Sequence, residues 1–208
     1  MKPPVDRLID IFEKQAELAR TFHRIEKENK VWEWDHDLVV PVTTVFGQER
    51  MRSLGWRVIE ELAEALDATT VEKTIEELID VGHYLVELCI SAGVTIAYIQ
   101  RHLGITPEGF DLLDQLFAQS LQVTPSPSLN DASLEFVVDL GLTMHGLKAK
   151  PHKVNPKPTD VAQFHQGLVL NLVAYATLLR AAYIMPAKFY EGYLDKNMTN
   201  HQRIIEQQ

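Results

Sequence analysis

Apolar residues recur along this chain with the spacing of an α-helix, and no stretch alternates in the manner of a β-strand. The first stretch, residues 6–28, carries an apolar stripe formed by Leu8, Ile11, Phe12, Leu18, Ala19, Phe22 and Ile25. The same spacing predicts further helices at about 50–67, 71–92, 94–103, 107–121, 131–147, 160–182 and 186–206. We therefore expect an all-α protein that folds as a helical bundle.

The breaks between these helices carry recognisable signals. Thr70 is a candidate N-cap, the helix that follows it ends near Gly93, and Pro186 suits the first turn of the last helix. The stretches predicted to be irregular are 31–49, 123–128 and 150–158. No internal repeat divides the chain. We therefore expect a single domain over 1–208, within which 101–158 is a candidate helical subdomain.

The charge balance and the residue content exclude several protein classes. Lys and Arg together number 20 against 29 Asp and Glu, which gives a net charge of −9 and argues against a protein that binds nucleic-acid phosphates. One cysteine, Cys89, excludes a disulfide scaffold and a cysteine-based zinc site. The chain shows neither a signal-peptide apolar region nor a run of 18 apolar residues. We expect a soluble cytoplasmic protein that binds no membrane.

Two consecutive helices each carry acidic residues three positions apart. Glu61 and Glu64 lie on one helix, and Glu77 and Asp80 lie on the next. Side chains at i and i+3 share a helix face, and helices joined by the short 67–70 break are expected to pack antiparallel. The four carboxylates should then converge, where their repulsion favours a bound cation. Oxygen ligands suit Mg²⁺, with Mn²⁺ as an alternative.

Acidic pairs are also common on exposed helix faces, and either pair taken alone favours that interpretation. The second acidic helix argues against it, because it is apolar on almost all sides over 78–90 and should be buried. Asp80, His83 and Glu87 interrupt its apolar surface at +3 and +4 spacing, as one polar stripe. Since a buried charge is costly unless it is paired or bound to metal, the stripe indicates a functional site.

The last helix places cations on one face. Lys196, Asn200 and Arg203 lie within about 60° of one another when each residue turns the helix by about 100°. Two cations and an amide on one face suit a phosphate group, and the alternative is an ordinary solvated face. A cationic cluster and an acidic cluster in one helical domain favour a site for metal and polyphosphate.

Two further polar residues have open roles. Gln15 fills a gap in the apolar stripe of the first helix, and a core-facing amide needs hydrogen-bond partners. Those partners are either backbone groups or the edge of a nucleobase, because an amide offers a donor and an acceptor. His83 is either a satisfied core histidine or part of a substrate pocket beside Tyr84.

These residues form a pattern that resembles the all-α NTP pyrophosphatase superfamily of MazG-like proteins and dimeric dUTPases, including bacteriophage dUTPases. The two acidic pairs resemble its ExxE and ExxD motifs, and residues 80–85 are similar to the stretch of aspartate, two residues, His-Phe and Leu. Residues 193–203 are similar to the Y-x-x-K-N-x-x-N-x-x-R motif of dimeric dUTPases. Residues 12–18 resemble an early helix whose glutamine contacts uracil in that family.

The resemblance implies a homodimer with two antiparallel acidic helices at a Mg²⁺ site. It implies hydrolysis of a deoxynucleoside triphosphate, dUTP first, to the monophosphate and pyrophosphate. The metal ligands that it implies are Glu61, Glu64, Glu77 and Asp80. One glutamate, Glu64 before Glu61, would activate the attacking water. The substrate contacts that it implies are Lys196 and Arg203 for phosphates, Asn197 or Asn200 for sugar or phosphate, and Gln15, His83 and Tyr84 near the base.

Two alternatives remain open. The stretch 67–74 lacks the tryptophan that this family usually carries between its acidic helices, so the same chemistry on another or a modified dNTP (dCTP, dATP or dGTP) is the first. A catalytically inactive helical interaction module is the second, and the intact acidic and cationic motifs argue against it. A di-iron bundle fits less well, because the first acidic helix has no Glu-x-x-His pair.

Overall fold

The computed structural model describes residues 5–29, 38–108, 110–123, 127–148 and 159–206. These residues form the helices α1 (Arg7–Glu28), α2 (Val45–Asp67), α3 (Val71–Ala92), α4 (Ile96–Leu103), α5 (Leu112–Val123), α6 (Leu129–His145), α7 (Val161–Ala181) and α8 (Pro186–Glu206). No strand occurs among them, so the all-α prediction is confirmed. Of the segments predicted to be irregular, residues 31–37 (which include Trp32 and Trp34), 124–126 and 150–158 lie outside the described residues.

Side-chain caps explain where the helices begin. The predicted cap Thr70 accepts a hydrogen bond from the Lys73 amide, 3.2 Å away. Thr44 caps α2 by accepting from the Gly47 amide at 3.0 Å, and α2 therefore begins at Val45 rather than near 50. At the other end of α3, Gly93 has φ +84°, a left-handed conformation that favours glycine.

The start of α5 also differs from the sequence prediction. The predicted helix began at 107, whereas α5 begins at Leu112. Two aspartates fix this point, because Asp111 Oδ1 accepts from the Leu113 amide at 3.0 Å and Asp6 Oδ2 accepts from the Leu112 amide at 2.7 Å. The second bond comes from the far end of the chain and has no signal in the local sequence.

Helix α3 is the central element, and it packs against α1, α2, α7 and α8. Its buried residues include most of its second half, as the apolar surface over 78–90 predicts. Gly82 lets α7 approach, because a Cβ there would lie 2.6 Å from the Tyr175 hydroxyl. That hydroxyl donates to the Leu78 carbonyl oxygen of α3 at 2.6 Å. Gly192 lets α8 approach in the same way, against the side chain of Ile79.

Helices α5 and α6, which lie in the 101–158 segment, share the core of the other helices. Phe117 of α5 and Phe136 of α6 belong to the same buried cluster as Leu85 of α3 and Leu168 of α7. Helix α5 packs on α7 and α1, and α6 packs on α7 and α2. The bundle that results leaves α1, α2, α3 and α8 to surround the acidic residues.

Within the parts of the chain that the structure describes, no single helix has both the length and the hydropathy needed to cross a membrane. Two pairs of consecutive helices meet the length and hydropathy criteria only when the two helices of a pair are taken together, and each pair is sharply bent. They are α3 with α4, bent by 98°, and α7 with α8, bent by 103°.

Candidate metal and ligand site

Three carboxylates meet where α2 packs against α3. Glu61 of α2 and Glu77 and Asp80 of α3 each offer an oxygen atom, and these atoms lie within 4.8 Å of one another. The i, i+3 spacing places the two α3 residues on one face, and the short connection between the helices brings α2 alongside. Glu77 is buried, with 3 % of its surface exposed. The set contains only oxygen donors, which suits Mg²⁺ or Mn²⁺.

The fourth predicted ligand, Glu64, lies one helical turn beyond Glu61 and is exposed. Its carboxylate is not one of the three that meet. It is nevertheless close enough for its charge to contribute to the raised pKa of Glu61. The structure therefore brings together three of the four predicted ligands and leaves Glu64 at the rim.

The cluster holds more negative charge than its surroundings readily accommodate. Burial, and then the negative charges of Asp80, Glu64 and Glu77, raise the pKa of Glu61 to about 7. Burial also raises the pKa of Asp80, although Lys196 acts in the opposite direction. Both shifts have the sign expected of carboxylates for which burial and neighbouring negative charges outweigh any counter-charge.

Two lysines supply part of the missing positive charge. Lys196 of α8 places its Nζ 2.6 Å from Asp80 Oδ2 and 3.2 Å from Glu76 Oε1. Lys73, one turn before Glu77 on α3, forms ion pairs with Glu77 and, at 3.3 Å, with Glu76. The carboxylates thus contact side-chain cations on the edge that faces α8 and the start of α3.

A pocket of about 200 Å³ opens beside the cluster. Most of the residues predicted from the sequence line it, namely Gln15, Glu61, Asp80, His83, Tyr84, Lys196, Asn200 and Arg203. Leu18, Phe22 and Glu87 complete the wall. The predicted Asn197 is not among the lining residues, because its side chain is buried and donates to the Lys14 carbonyl oxygen at 3.3 Å. The same pocket therefore exposes carboxylates, cations and aromatic rings.

Gln15 links three elements at the inner wall of this pocket. Its Oε1 lies 2.8 Å from His83 Nδ1 and accepts from the Tyr193 hydroxyl at 2.7 Å. Its Nε2 donates to Glu87 Oε2 at 3.3 Å. The partners of this amide are side chains of α3 and α8, not the backbone groups that one interpretation of the sequence expected.

His83 is buried against Tyr193 and still lines the pocket. The two rings stack with centroids 3.9 Å apart and an interplanar angle of 7°. Burial lowers the pKa of His83 to about 3, so the imidazole is neutral at physiological pH. His83 is therefore buried in the core and lines the pocket, as the second interpretation predicted, and its Nε2 is not satisfied by a geometric hydrogen bond.

Arg50 and Glu87 form an ion pair behind Gln15, and sequence reasoning did not assign Arg50 any role. Arg50 Nη2 donates to Glu87 Oε1 at 3.1 Å, and Nη1 donates to Glu26 Oε1 at 3.3 Å. Burial raises the pKa of Glu87, although the charge of Arg50 lowers it. The polar stripe on α3 pointed to Glu87. No local pattern pointed to Arg50.

Trp56 of α2 lies at the surface and not in the core. It is 63 % exposed, and its indole N–H donates to Glu60 Oε1 at 2.8 Å. No tryptophan lines the pocket among the residues that the structure describes.

No protein-family model, curated protein or solved structure matches this chain.

Proposed function

We propose that this protein hydrolyses a deoxynucleoside triphosphate, dUTP first, to the monophosphate and pyrophosphate in a Mg²⁺-dependent reaction. One observation carries the proposal: Glu61 and Asp80 of the carboxylate cluster line the same pocket as Lys196 and Arg203. Hydrolysis of a polyphosphate needs both a cation site and positively charged side chains that bind phosphate oxygens.

The carboxylates would hold the metal ion. Glu61, Glu77 and Asp80 supply oxygen ligands, and Glu64 at the rim is the candidate to orient the attacking water, with Glu61 as the second candidate. A bound Mg²⁺ neutralises phosphate charge and lowers the pKa of a coordinated water molecule. The raised pKa of Glu61, which comes first from burial and then from neighbouring negative charges, supports this role, because a divalent cation would stabilise the ionised carboxylate and relieve the repulsion.

The nucleotide would lie along the pocket from α8 towards α1. Lys196 and Arg203 donate to phosphate oxygens, which charge-assisted hydrogen bonds favour. Asn200 is placed to contact a phosphate or the sugar, whereas Asn197 acts from behind the wall through its bond to α1. The base would then lie at the inner end of the pocket, beside His83 and Tyr84.

The test is release of pyrophosphate from each dNTP, each NTP and dUDP, with Mg²⁺, with Mn²⁺ and with EDTA. Turnover that requires the cation and yields pyrophosphate supports the proposal. A preference for dUTP would identify a dUTPase. A preference for dCTP, dATP, dGTP or a modified dNTP would keep the chemistry and change the substrate, an alternative favoured by the lack of a tryptophan in the described pocket wall. A folded protein that is inactive on every substrate would favour an interaction module.

We also propose a homodimer, and α6 offers the surface for it. One face of α6 carries a run of exposed apolar side chains at helical spacing: Leu134, Val137, Val138 and Leu142. Exposed apolar patches of this kind commonly mark protein–protein contacts. Sedimentation of a Val138→Glu/Leu142→Glu variant should show a monomer, whereas Leu121→Glu on α5, which is also exposed, should leave the dimer intact. A monomeric parent protein would contradict the proposal.

A further inference from the structure

A second pocket lies between α6 and α7, and it shares no lining residue with the candidate site. Its volume is about 290 Å³, near the lower end of the range of about 300–1,000 Å³ that ligand pockets occupy. Gly167 of α7 lets the two helices meet beside it, because a Cβ there would lie 2.5 Å from Thr143 Oγ1 of α6. The wall of this α6–α7 pocket includes Asp139, Leu142, Thr143, Gly167, Leu170 and Asn171.

Asn171 places an unused acceptor in this wall. The residue is fully buried, and its Nδ2 donates to the Gly167 carbonyl oxygen and to Thr143 Oγ1, each at 2.8 Å. A carbonyl oxygen can only accept, so the NH₂ group must lie on that side of the amide and Oδ1 on the other. Asn171 Oδ1 is buried and has no hydrogen-bond partner, although buried polar atoms are nearly always paired. The wall therefore holds an acceptor that lacks a donor.

Asp139 adds a negative charge to the same wall. Burial, and then the negative charge of Glu135, raise the pKa of Asp139. Within the described part of the chain, the Asp139 carboxylate has no ion-pair partner. No lysine, arginine or histidine occurs among the described residues that line the pocket. The α6–α7 pocket therefore lacks the positive charge that would balance its carboxylate.

The missing groups define the ligand chemistry. Asn171 Oδ1 needs an N–H or O–H donor and the Asp139 carboxylate needs a cation, and a guanidinium or ammonium group supplies both at once. Leu142 and Leu170 are exposed at 67 % and 47 %, and they offer apolar surface to an alkyl chain. An organic cation suits this wall better than a metal ion, because neither leucine offers a ligand atom.

We propose that the α6–α7 pocket binds a small organic cation in which a guanidinium or ammonium group is attached to an alkyl chain. The N–H groups of the cation donate to the Asp139 carboxylate and to Asn171 Oδ1, and the alkyl chain lies against Leu142 and Leu170. Because Oδ1 is buried in the free protein, binding requires a rearrangement of the exposed side chains that line the pocket. The concave shape favours a free small molecule, although Leu142 also belongs to the apolar face proposed for the homodimer.

Calorimetry on the full-length protein with n-butylguanidinium tests the binding chemistry. Its matched control is n-butylurea, which has a similar shape and N–H donors but no charge. Butylguanidinium should bind at least about tenfold more tightly than butylurea, because a charge-assisted hydrogen bond is stronger than a neutral one. The titration is repeated in Mg²⁺, which should leave this binding unchanged because the carboxylate cluster on α2 and α3 shares no residue with the pocket.

NMR and one pair of variants locate the site. The side-chain amide resonance of Asn171, assigned through its contact with Thr143, should move when butylguanidinium binds, and this measurement needs no variant. Asp139→Asn should weaken butylguanidinium about tenfold and leave butylurea unaffected. Asp131→Asn makes the same charge change two turns earlier on α6, outside the pocket wall, and should leave the affinity unchanged.

Several results would overturn the inference, and none of them depends on nucleotide turnover. Equal binding of butylurea would show that the charge is not recognised. Binding that ignores Asp139→Asn and is lost in Mg²⁺ would place the cation at the carboxylate cluster instead. An Asn171 resonance that stays in place at saturation, or no binding at millimolar concentration, would exclude the site. A dimeric parent protein that binds butylguanidinium only after dilution to monomer would show that the second copy fills the pocket.

Discussion

Lys196 Nζ lies 2.6 Å from Asp80 Oδ2, and this ion pair joins α8 to the carboxylate cluster on α3. The pair is mostly buried, with 14 % of each side chain exposed. The Lys196 pKa is raised, because the hydrogen bonds and charges of Asp80 and Glu76 outweigh the opposing effect of burial. A lysine ammonium therefore balances the carboxylate charge that a metal ion would also balance.

Replacement of Lys196 by alanine should affect the two ligands in opposite directions. Triphosphate should bind about 10–100-fold more weakly, because charge-assisted hydrogen bonds contribute about 1.5–3 kcal/mol. Mg²⁺ should bind more tightly, because a competing cation has been removed. Calorimetry with each ligand measures both effects. Lys188→Ala, at an exposed position on the same helix, is the control. If Lys196→Ala weakened the binding of triphosphate and of Mg²⁺ equally, Lys196 would have a structural role only.

Glu77→Gln should remove turnover while the protein stays folded. Loss of a partner in the second shell of a metal site already lowers activity about 10–100-fold, and a direct ligand should matter more. Steady-state rates and circular dichroism test the two parts of this prediction. The exposed Glu72→Gln, five residues earlier on α3, should stay within a few-fold of the parent rate. Near-normal activity of the Glu77→Gln variant would show that Glu77 is not a ligand of the catalytic metal ion.

The raised pKa of Glu61 predicts a pH dependence of stability without divalent cations. The pKa is about 7 in the folded protein and 4.5 in the reference state. The folded state therefore holds more protons between these values, and stability falls as pH rises from about 4.5 to about 7. Glu61→Gln should flatten this part of the melting-temperature profile. Glu64→Gln, at the exposed rim, should flatten it less.

Addition of Mg²⁺ extends this test. The cation binds the folded state and should raise the melting temperature of the parent protein more at pH 8, where Glu61 is ionised, than at pH 5. A melting temperature that ignores millimolar Mg²⁺ at both pH values would contradict a metal site at these residues.

Arg50→Met should destabilise the fold strongly. It leaves Glu87, which is 7 % exposed, as a buried carboxylate without its counterion, and such a loss costs about 3–5 kcal/mol. Urea denaturation measures the change. The double variant Arg50→Met/Glu87→Met should recover part of the loss, because it removes both charges. If the double variant is the less stable of the two, the Arg50–Glu87 pair does not account for the effect.

Local sequence determined the helices and several of their ends. Apolar spacing predicted α3 over 71–92. In the structure this helix begins after its N-cap Thr70 and ends before Gly93. Such signals suffice because helical hydrogen bonds and caps join residues a few positions apart. The start of α5 could not be predicted from the local sequence. The Leu112 amide donates to the carboxylate of Asp6, and Asp6 lies more than 100 residues earlier in the chain.

The candidate site divides in the same way. The i, i+3 spacing was enough to place Glu77 and Asp80 on one face, because helix geometry alone sets that relation. The tertiary structure decided that Glu61 joins them while Glu64 stays at the rim. It also decided that Gln15 bonds to Glu87, 72 residues away, and to Tyr193, 178 residues away. A buried polar group must find a partner, but which partner it meets depends on how α1, α3 and α8 pack.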